Sequence, residues 1–242
     1  MKFKDVLIGI VVVILIYIIY VYLFSDSSKK RLIQIHNAED EFTITRKKLP
    51  MTRGQYEYSF SIWFFISNWT STSGTKTILF MSDKPAGGIN DYEWSLTLGG
   101  TVNSLQFNYR TGNKGIGKNS CEIPNIPIQR WTNVIVGVHQ RSIDLYLDGK
   151  LINTCITPDT LYTTDNESSL LRLTPRLGGK EPPFQGFISN WQWFGYTLSP
   201  QDAYNIYKEG YKGGGWLSNL LNKYKIKIAF LTDNKEVNSF VL

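Results

Sequence analysis

The chain has 242 residues, 42% of them hydrophobic and 14% aromatic, and carries a formal net charge of +6. That apolar share excludes a disordered chain, and the length allows one large or two small domains. Aromatics outnumber the three methionines many times over, which favours a rigid β-rich core over an adaptable helical one.

The first element is an uncharged run, Val6 to Phe24. As a helix it would rise about 28 Å, the thickness of a bilayer's hydrocarbon core. Its Val and Ile prefer strands, but in lipid only a helix satisfies its own backbone. Tyr17, Tyr20 and Tyr22 lie toward one end, where an aromatic belt belongs. No A-x-A-like site follows, so a retained anchor is expected over residues 1–24, not a cleaved signal peptide. Residues 25–31 read as its tether. Lys2 and Lys4 precede the run and Lys29, Lys30 and Arg31 follow it, a small lean toward a cytosolic domain. Two N-x-S/T sequons, at Asn68 and Asn166, lean toward an extracytosolic one.

From residue 32 the period changes to alternation. "EYSFSIWFFI" (57–66) places Tyr58, Phe60, Ile62, Phe64 and Ile66 on one face. Strands are also expected over 41–48, 76–82, 92–98 and 102–110. Residues 131–156 read as a three-stranded meander, with Val134, Val136 and Val138 on one face of its first strand. Its second hairpin turns at Asp148-Gly149, a pair suited to the positive φ of a type I′ turn. Further strands are expected at 168–174 and 186–194. This density of short strands and turns predicts an all-β antiparallel sandwich. Then Ser199 suits an N-cap, Pro200 the first helical position, Asp202 the first turn and Gly210 the stop. Ala203, Ile206 and Tyr207 give this short helix one apolar face. Beyond a Gly-rich hinge (Gly213 to Gly215), a helical turn is expected near 216–222. Tyr224, Ile226, Ile228 and Phe230 then alternate as a last strand.

Three segments carry a resemblance: "YSFSIWFFIS" (58–67), "QRWTNVIVGVHQRSIDLYLDGKLI" (129–152) and "FQGFISNWQWFGYTLSPQDAYNIYKEG" (184–210). Together, and in this order, they resemble the laminin-G-like jelly rolls of the concanavalin A-like lectin/glucanase superfamily. In that family an early strand reads like "FSISFWF", a Trp-Thr-x-Val strand leads into an "LYLDGKL" hairpin, and a late strand leads to "LSPxE" and a short helix. The one departure is Asp202, where the family more often has Glu. The resemblance covers roughly residues 40–210. It implies one sandwich domain over 32–242, with 210–242 packed on it as an extension. The anchor, sandwich and basic tail together also resemble membrane-anchored proteins of large DNA viruses.

Catalytic signals are sparse. Glycosidases of the superfamily use an E-x-D-x-x-E strand, whose paired carboxylates flank the scissile bond. That spacing is absent here, and Asp91 with Glu93 is the nearest approach, at what reads as a polar loop edge. His36, His139 and two cysteines could make at most one zinc site; no metal is expected. Calcium, held in many relatives by loop carboxylates, would find Asp83 and Asp91 around "KPAGGIN". Cys121 and Cys155 flank the meander, whose ends can approach, so a disulfide closing about 35 residues is expected. "RKK" (46–48) and the tail lysines read as solvated or facing anionic lipid rather than nucleic acid.

These readings predict a membrane-anchored, non-enzymatic recognition module. Its bilayer partner is met through Val6 to Phe24, and its ligand is a glycan or a protein. The contacts expected are in rim loops 82–93 and 110–129, with Trp69 as a sugar-stacking platform beside Asp83 and Asp91. Two other readings stand beside it: a structural scaffold of a membrane or virion envelope, and a glycosidase-like enzyme.

Overall fold

A computed structural model describes residues 3–23, 28–50, 56–69, 71, 74–82, 92–112, 117–163, 170–173, 185–213, 227–232 and 235–241. In chain order the elements are α1 (Phe3–Leu23), β1 (Lys29–Asn37), β2 (Phe42–Thr45), a short 3-10 turn (Arg46–Lys48), β3 (Glu57–Asn68), β4 (Lys76–Ser82), β5 (Tyr92–Leu98), β6 (Leu105–Thr111) and β7 (Gly117–Ile123). There follow β8 (Trp131–His139), β9 (Ser142–Leu147), β10 (Lys150–Ile156), β11 (Leu170–Leu173), β12 (Gln185–Phe194), α2 (Pro200–Glu209), β13 (Lys227–Thr232) and β14 (Lys235–Val241).

Two six-stranded antiparallel sheets form the sandwich. One runs β1-β12-β3-β8-β9-β10 and the other β2-β11-β4-β5-β6-β7. Alternation drives the packing. Phe60, Ile62, Phe64, Val134, Val136 and Val138 of the first sheet meet Leu96, Leu98, Leu105 and Phe107 of the second, all with 0% exposure. The centre of the contact is aromatic. Tyr58 stacks on Trp193 (centroids 5.0 Å apart) and Phe60 on Trp94 (4.9 Å), with Phe107 5.7 Å beyond Trp94.

The expected hairpin turns at Asp148 (φ 49°) and Gly149 (φ 75°). Gly149 is needed twice, because a Cβ there would also meet the Tyr207 side chain at 2.9 Å, where α2 crosses. α2 starts as the sequence predicts. Ser199 Oγ accepts from the Asp202 amide (3.2 Å), and the Asp202 carboxylate accepts from the Ser199 amide (3.2 Å). The helix lies on the outer face of the first sheet, with Ala203 and Ile206 buried against Ile135, Tyr146 and Phe194.

The structure differs from the sequence reading at several places. β1 begins at Lys29, inside the stretch expected as tether, because Lys29–Asn37 pairs with Phe187–Phe194 of a strand distant in sequence. Residues 110–129, expected as a rim loop, hold edge strand β7, which pairs with β6 from Thr111↔Gly117 to Leu105↔Ile123. The expected tail strand is one half of a hairpin, β13 with β14. The expected turn near 216–222 lies outside the described residues. Residues 3–23 are helical as expected, and every apolar side chain described on α1 is exposed, from Val6 to Ile19. Among the described residues no helix is long and apolar enough to cross a membrane; the consecutive side chains described on α1, residues 9–19, rise only about 16 Å.

Cys121 and Cys155 are bonded, with Cα atoms 6.0 Å apart. They sit on β7 and β10, the edge strands of opposite sheets, so the bond closes one open side of the sandwich. Asn153 Nδ2 donates to the Glu122 carbonyl (3.0 Å) across the same seam. With both cysteines used, the zinc set is not assembled. Cys121→Ser with Cys155→Ser should cost about 3–4 kcal/mol and lower Tm by about 10 °C. Calorimetry on both forms checks this, and an unchanged Tm would mean that β7 and β10 hold together without the bond.

Candidate functional site

The first sheet's outer face is not polar along its length. On β3 the outward positions are Ser59, Ser61, Trp63, Phe65 and Ser67. Ser59 and Ser61 allow close approach: Ser59 Oγ accepts from the Leu198 amide (3.0 Å), and Ser61 Oγ accepts from Asn133 Nδ2 (3.0 Å). Thr197 Oγ1 donates to the Val138 carbonyl (2.8 Å), pinning the approach to α2 on the sheet. The exit of α2 is pinned by β12. Ser189 Oγ donates to the Tyr211 carbonyl (2.6 Å), Asn190 Nδ2 to the Gly210 carbonyl (3.0 Å) and Gln192 Nε2 to the Glu209 carboxylate (3.2 Å).

These bonds lay an aromatic stripe along the face. Tyr207 stacks on Trp63 (5.6 Å, 13° between planes), and Tyr211 meets Trp63 edge-on at 6.4 Å. Tyr211 then stacks flat on Trp131 (4.5 Å, 6°), and Trp131 reaches Phe65 at 5.8 Å. Phe187 continues the row, since Phe187 pairs with Phe65 and Phe65 with Trp131 across β12, β3 and β8. Cover is lost along the stripe. Trp63 is 5% exposed, whereas Phe187 is 44% and Ile35 of β1 57% exposed. Ile35, Phe65, Trp131 and Phe187 line an open depression of about 330 Å³. Polar groups stand beside it: Asn37 pairs with Phe187, Gln185 with Asn68, and Ser67 Oγ donates to the Gln185 carbonyl (2.9 Å). Charged groups adjoin it too, with the Glu39 amide donating to Asn37 Oδ1 (3.0 Å) and Arg130, next to Trp131, ion-paired with Asp148.

The sandwich has two distinct ends. Lys29, Phe194, Ser59 and Gly137 are in register at one end of the first sheet, where the chain arrives from α1. The depression is at the other, with Ile35 six residues along β1, about 20 Å away.

The residues expected to bind ligand are not gathered together. Trp69 lies at the far end, packed against the core, with the buried Lys76 ammonium 4.7 Å from its ring centroid. One face of that ring is therefore occupied. Asp83, Asp91 and Asn166 lie outside the described residues. Asn68 is exposed and donates to Gln185 Oε1 (3.2 Å). Glu93, expected at a polar loop edge, is instead 2% exposed and ion-paired with Arg46. The pair sits by Tyr58. Burial first, and then the Glu93 charge, push the Tyr58 phenol far above its ordinary value, with Arg46 opposing. Among the described residues no cluster of three His, Cys, Asp or Glu side chains is placed to hold a metal.

A family model described as concanavalin A-like lectin/glucanases superfamily, of the laminin G type, matches residues 36–203. The chain belongs to that superfamily. No curated protein matches it in sequence. Among solved structures it is similar to the receptor-binding domain of botulinum neurotoxin D (TM-score 0.55, 13% identity, 76% of this chain and 48% of that one). It is similar also to that of the mosaic serotype C/D, with tetraethylene glycol on its Hcn sub-domain (TM-score 0.54, 14% identity, 75% and 45%). The chain thus spans about half the length of these structures, and at such identity the likeness is one of fold. The lectin-like sandwich is shared; the ligands of those proteins are their own.

Burial also raises the phenols of Tyr92, Tyr109 and Tyr146. A phenol whose folded value is raised stabilises the fold fully below its unfolded value, near 10, and that contribution drains as pH climbs above it. Stability should hold flat from pH 7 to 9 and fall above about 10, by up to about 1.4 kcal/mol per pH unit for each phenol. Urea unfolding across this window checks it. Tyr58→Phe should flatten the slope, and an unchanged slope would remove Tyr58 from the cause.

Proposed function

We propose that the chain is a membrane-tethered, non-catalytic recognition module that binds a glycan on the exposed end of its aromatic stripe. One observation carries the reading: Phe187, Phe65 and Trp131 form an in-register row on a rigid sheet, open to solvent beside amide and hydroxyl groups. Sugars present flat C–H faces that suit aromatic rings and hydroxyls that suit a polar rim.

The tether rests on α1. A helix that is apolar all round needs a cover, and the sandwich does not supply one, because the described α1 side chains are exposed. The uncharged run Val6 to Phe24 matches a bilayer in length. The bases that follow α1 are engaged by the sandwich. Lys29 pairs with Glu209 (3.4 Å), Lys30 donates to the Lys48 carbonyl (2.6 Å), and Arg31 lies against Gly213. These bases serve the fold, so their weight as a cytosolic signal falls. The disulfide and the exposed Asn68 sequon favour an extracytosolic domain. The likeness to viral membrane-anchored proteins stays part of this proposal, resting on the same anchor-sandwich-tail order. Against a glycosidase stands Glu93, buried in its ion pair with Arg46 and withheld from any substrate.

The scaffold reading has one observation in its favour. Edge strand β10 exposes Leu151 (47%), Ile152 (47%) and Ile156 (73%), apolar groups suited to a neighbouring subunit.

Glycan-array binding by the detergent-solubilised full chain tests the main reading. Phe187→Ala should weaken a selected glycan tenfold or more, about 1.4 kcal/mol, with Tm unchanged. A blank array from folded protein that sediments as an oligomer would shift the function to the scaffold.

A further inference from the structure

The arriving end of the sandwich gathers basic residues that the sequence keeps apart. Lys29, Lys30 and Arg31 open β1, with five residues between Leu23, where α1 ends, and Lys29. Arg46, Lys47 and Lys48 form the 3-10 turn after β2. The Lys30 ammonium donates to the Lys48 carbonyl at 2.6 Å, which joins the two triplets into one surface. Lys29 pairs with Glu209, Arg46 with Glu93, and Arg31 lies against Gly213. Lys30, Arg31, Lys47 and Lys48 are exposed. Of the acidic groups of the described elements at this end, Glu57, Glu93 and Glu209 have basic partners, His139 for Glu57 at 3.3 Å, whereas Asp144, in register with Gly137, accepts from Thr154 Oγ1 (2.7 Å) and Asp202 caps α2.

We propose that this basic collar docks on anionic phospholipid headgroups and holds the domain upright on its membrane. The inference rests on reading α1 as the anchor. Five residues extend at most about 17 Å, so an anchored α1 keeps the collar near the headgroups throughout. Each Lys or Arg held near an anionic surface strengthens attachment about fivefold at physiological salt, and the exposed Lys30, Lys47 and Lys48, brought together where β1 starts and the 3-10 turn ends, act together. Flexible lysine stems suit a mobile headgroup layer better than a single rigid ligand. Docked this way, the collar faces lipid and the aromatic depression faces away, so the same chain orients its own binding face.

The test uses the full chain in nanodiscs of phosphatidylcholine alone or with roughly a third phosphatidylserine. Amide hydrogen exchange is followed over residues 29–31 and 46–49. Exchange there should be slower in the anionic discs only and should recover in high salt. Lys47→Gln with Lys48→Gln should weaken docking about 25-fold while leaving the disulfide and Tm intact. Equal exchange in both lipids, from a chain that is inserted, would overturn the collar and leave the anchor standing. A chain that neither inserts nor floats with vesicles would overturn both.

Discussion

Everything in this molecule hangs on the aromatic contact between its two sheets. Tyr58, Phe60, Trp94, Phe107 and Trp193 come from four strands and both sheets, and their rings lie 4.9 to 6.5 Å apart. Rings of this size fix register, because a one-residue slip would turn each of them to the opposite face. Their placement near the arriving end also explains the buried charge there. Glu93 and Tyr58 flank rings that cannot yield, and Arg46 supplies the opposite charge that a buried carboxylate requires.

The second constraint is the cover on the outer face of the first sheet. A two-layer sandwich leaves each sheet one face for water, yet Trp63, Phe65, Trp131, Ile135 and Phe194 occupy this one. α2 and its flanking turns cover most of it, held at both ends by hydrogen bonds to Ser59, Val138, Ser189 and Asn190. The helix is ten residues long, and the stripe outruns it. Phe187 and Ile35 lie beyond the reach of α2 and its exit turn and stay open, 44% and 57% exposed. A structural cover that stops short leaves an apolar platform on a rigid sheet, which is why the candidate site is there and not on a loop.

What the sequence disclosed follows from how local each signal is. Ser199, Pro200, Asp202 and Gly210 act within one helical turn, and Asp148-Gly149 acts within four residues, so both could be read directly. The Cys121–Cys155 bond followed from meander topology. β7 escaped because "GKNSCEI" shows almost no apolar alternation: it is an edge strand. β1 escaped because its basic start resembles a membrane flank, and its partner β12 lies about 150 residues on. The depression needs four strands in register, so no local pattern contains it. One signal was present: Trp63 and Phe65 stand at outward positions of β3, where alternation alone would place polar residues. Trp69 misled in the opposite way, since its neighbour Lys76 is remote in the pattern yet lies on its ring.

The two ends of the sandwich carry different chemistry. Antiparallel pairing sends β1 away from the α1 link and returns β12 toward it, so charge and aromatic surface separate by the length of a strand. Basic triplets collect where the chain arrives, because β1 starts there and β2 ends there. Aromatic surface opens where β1 ends, because α2 and its exit turn stop before reaching it. The far face has a polar rim of Asn37, Ser67, Asn68 and Gln185 beside its rings, a strand's length from the basic groups.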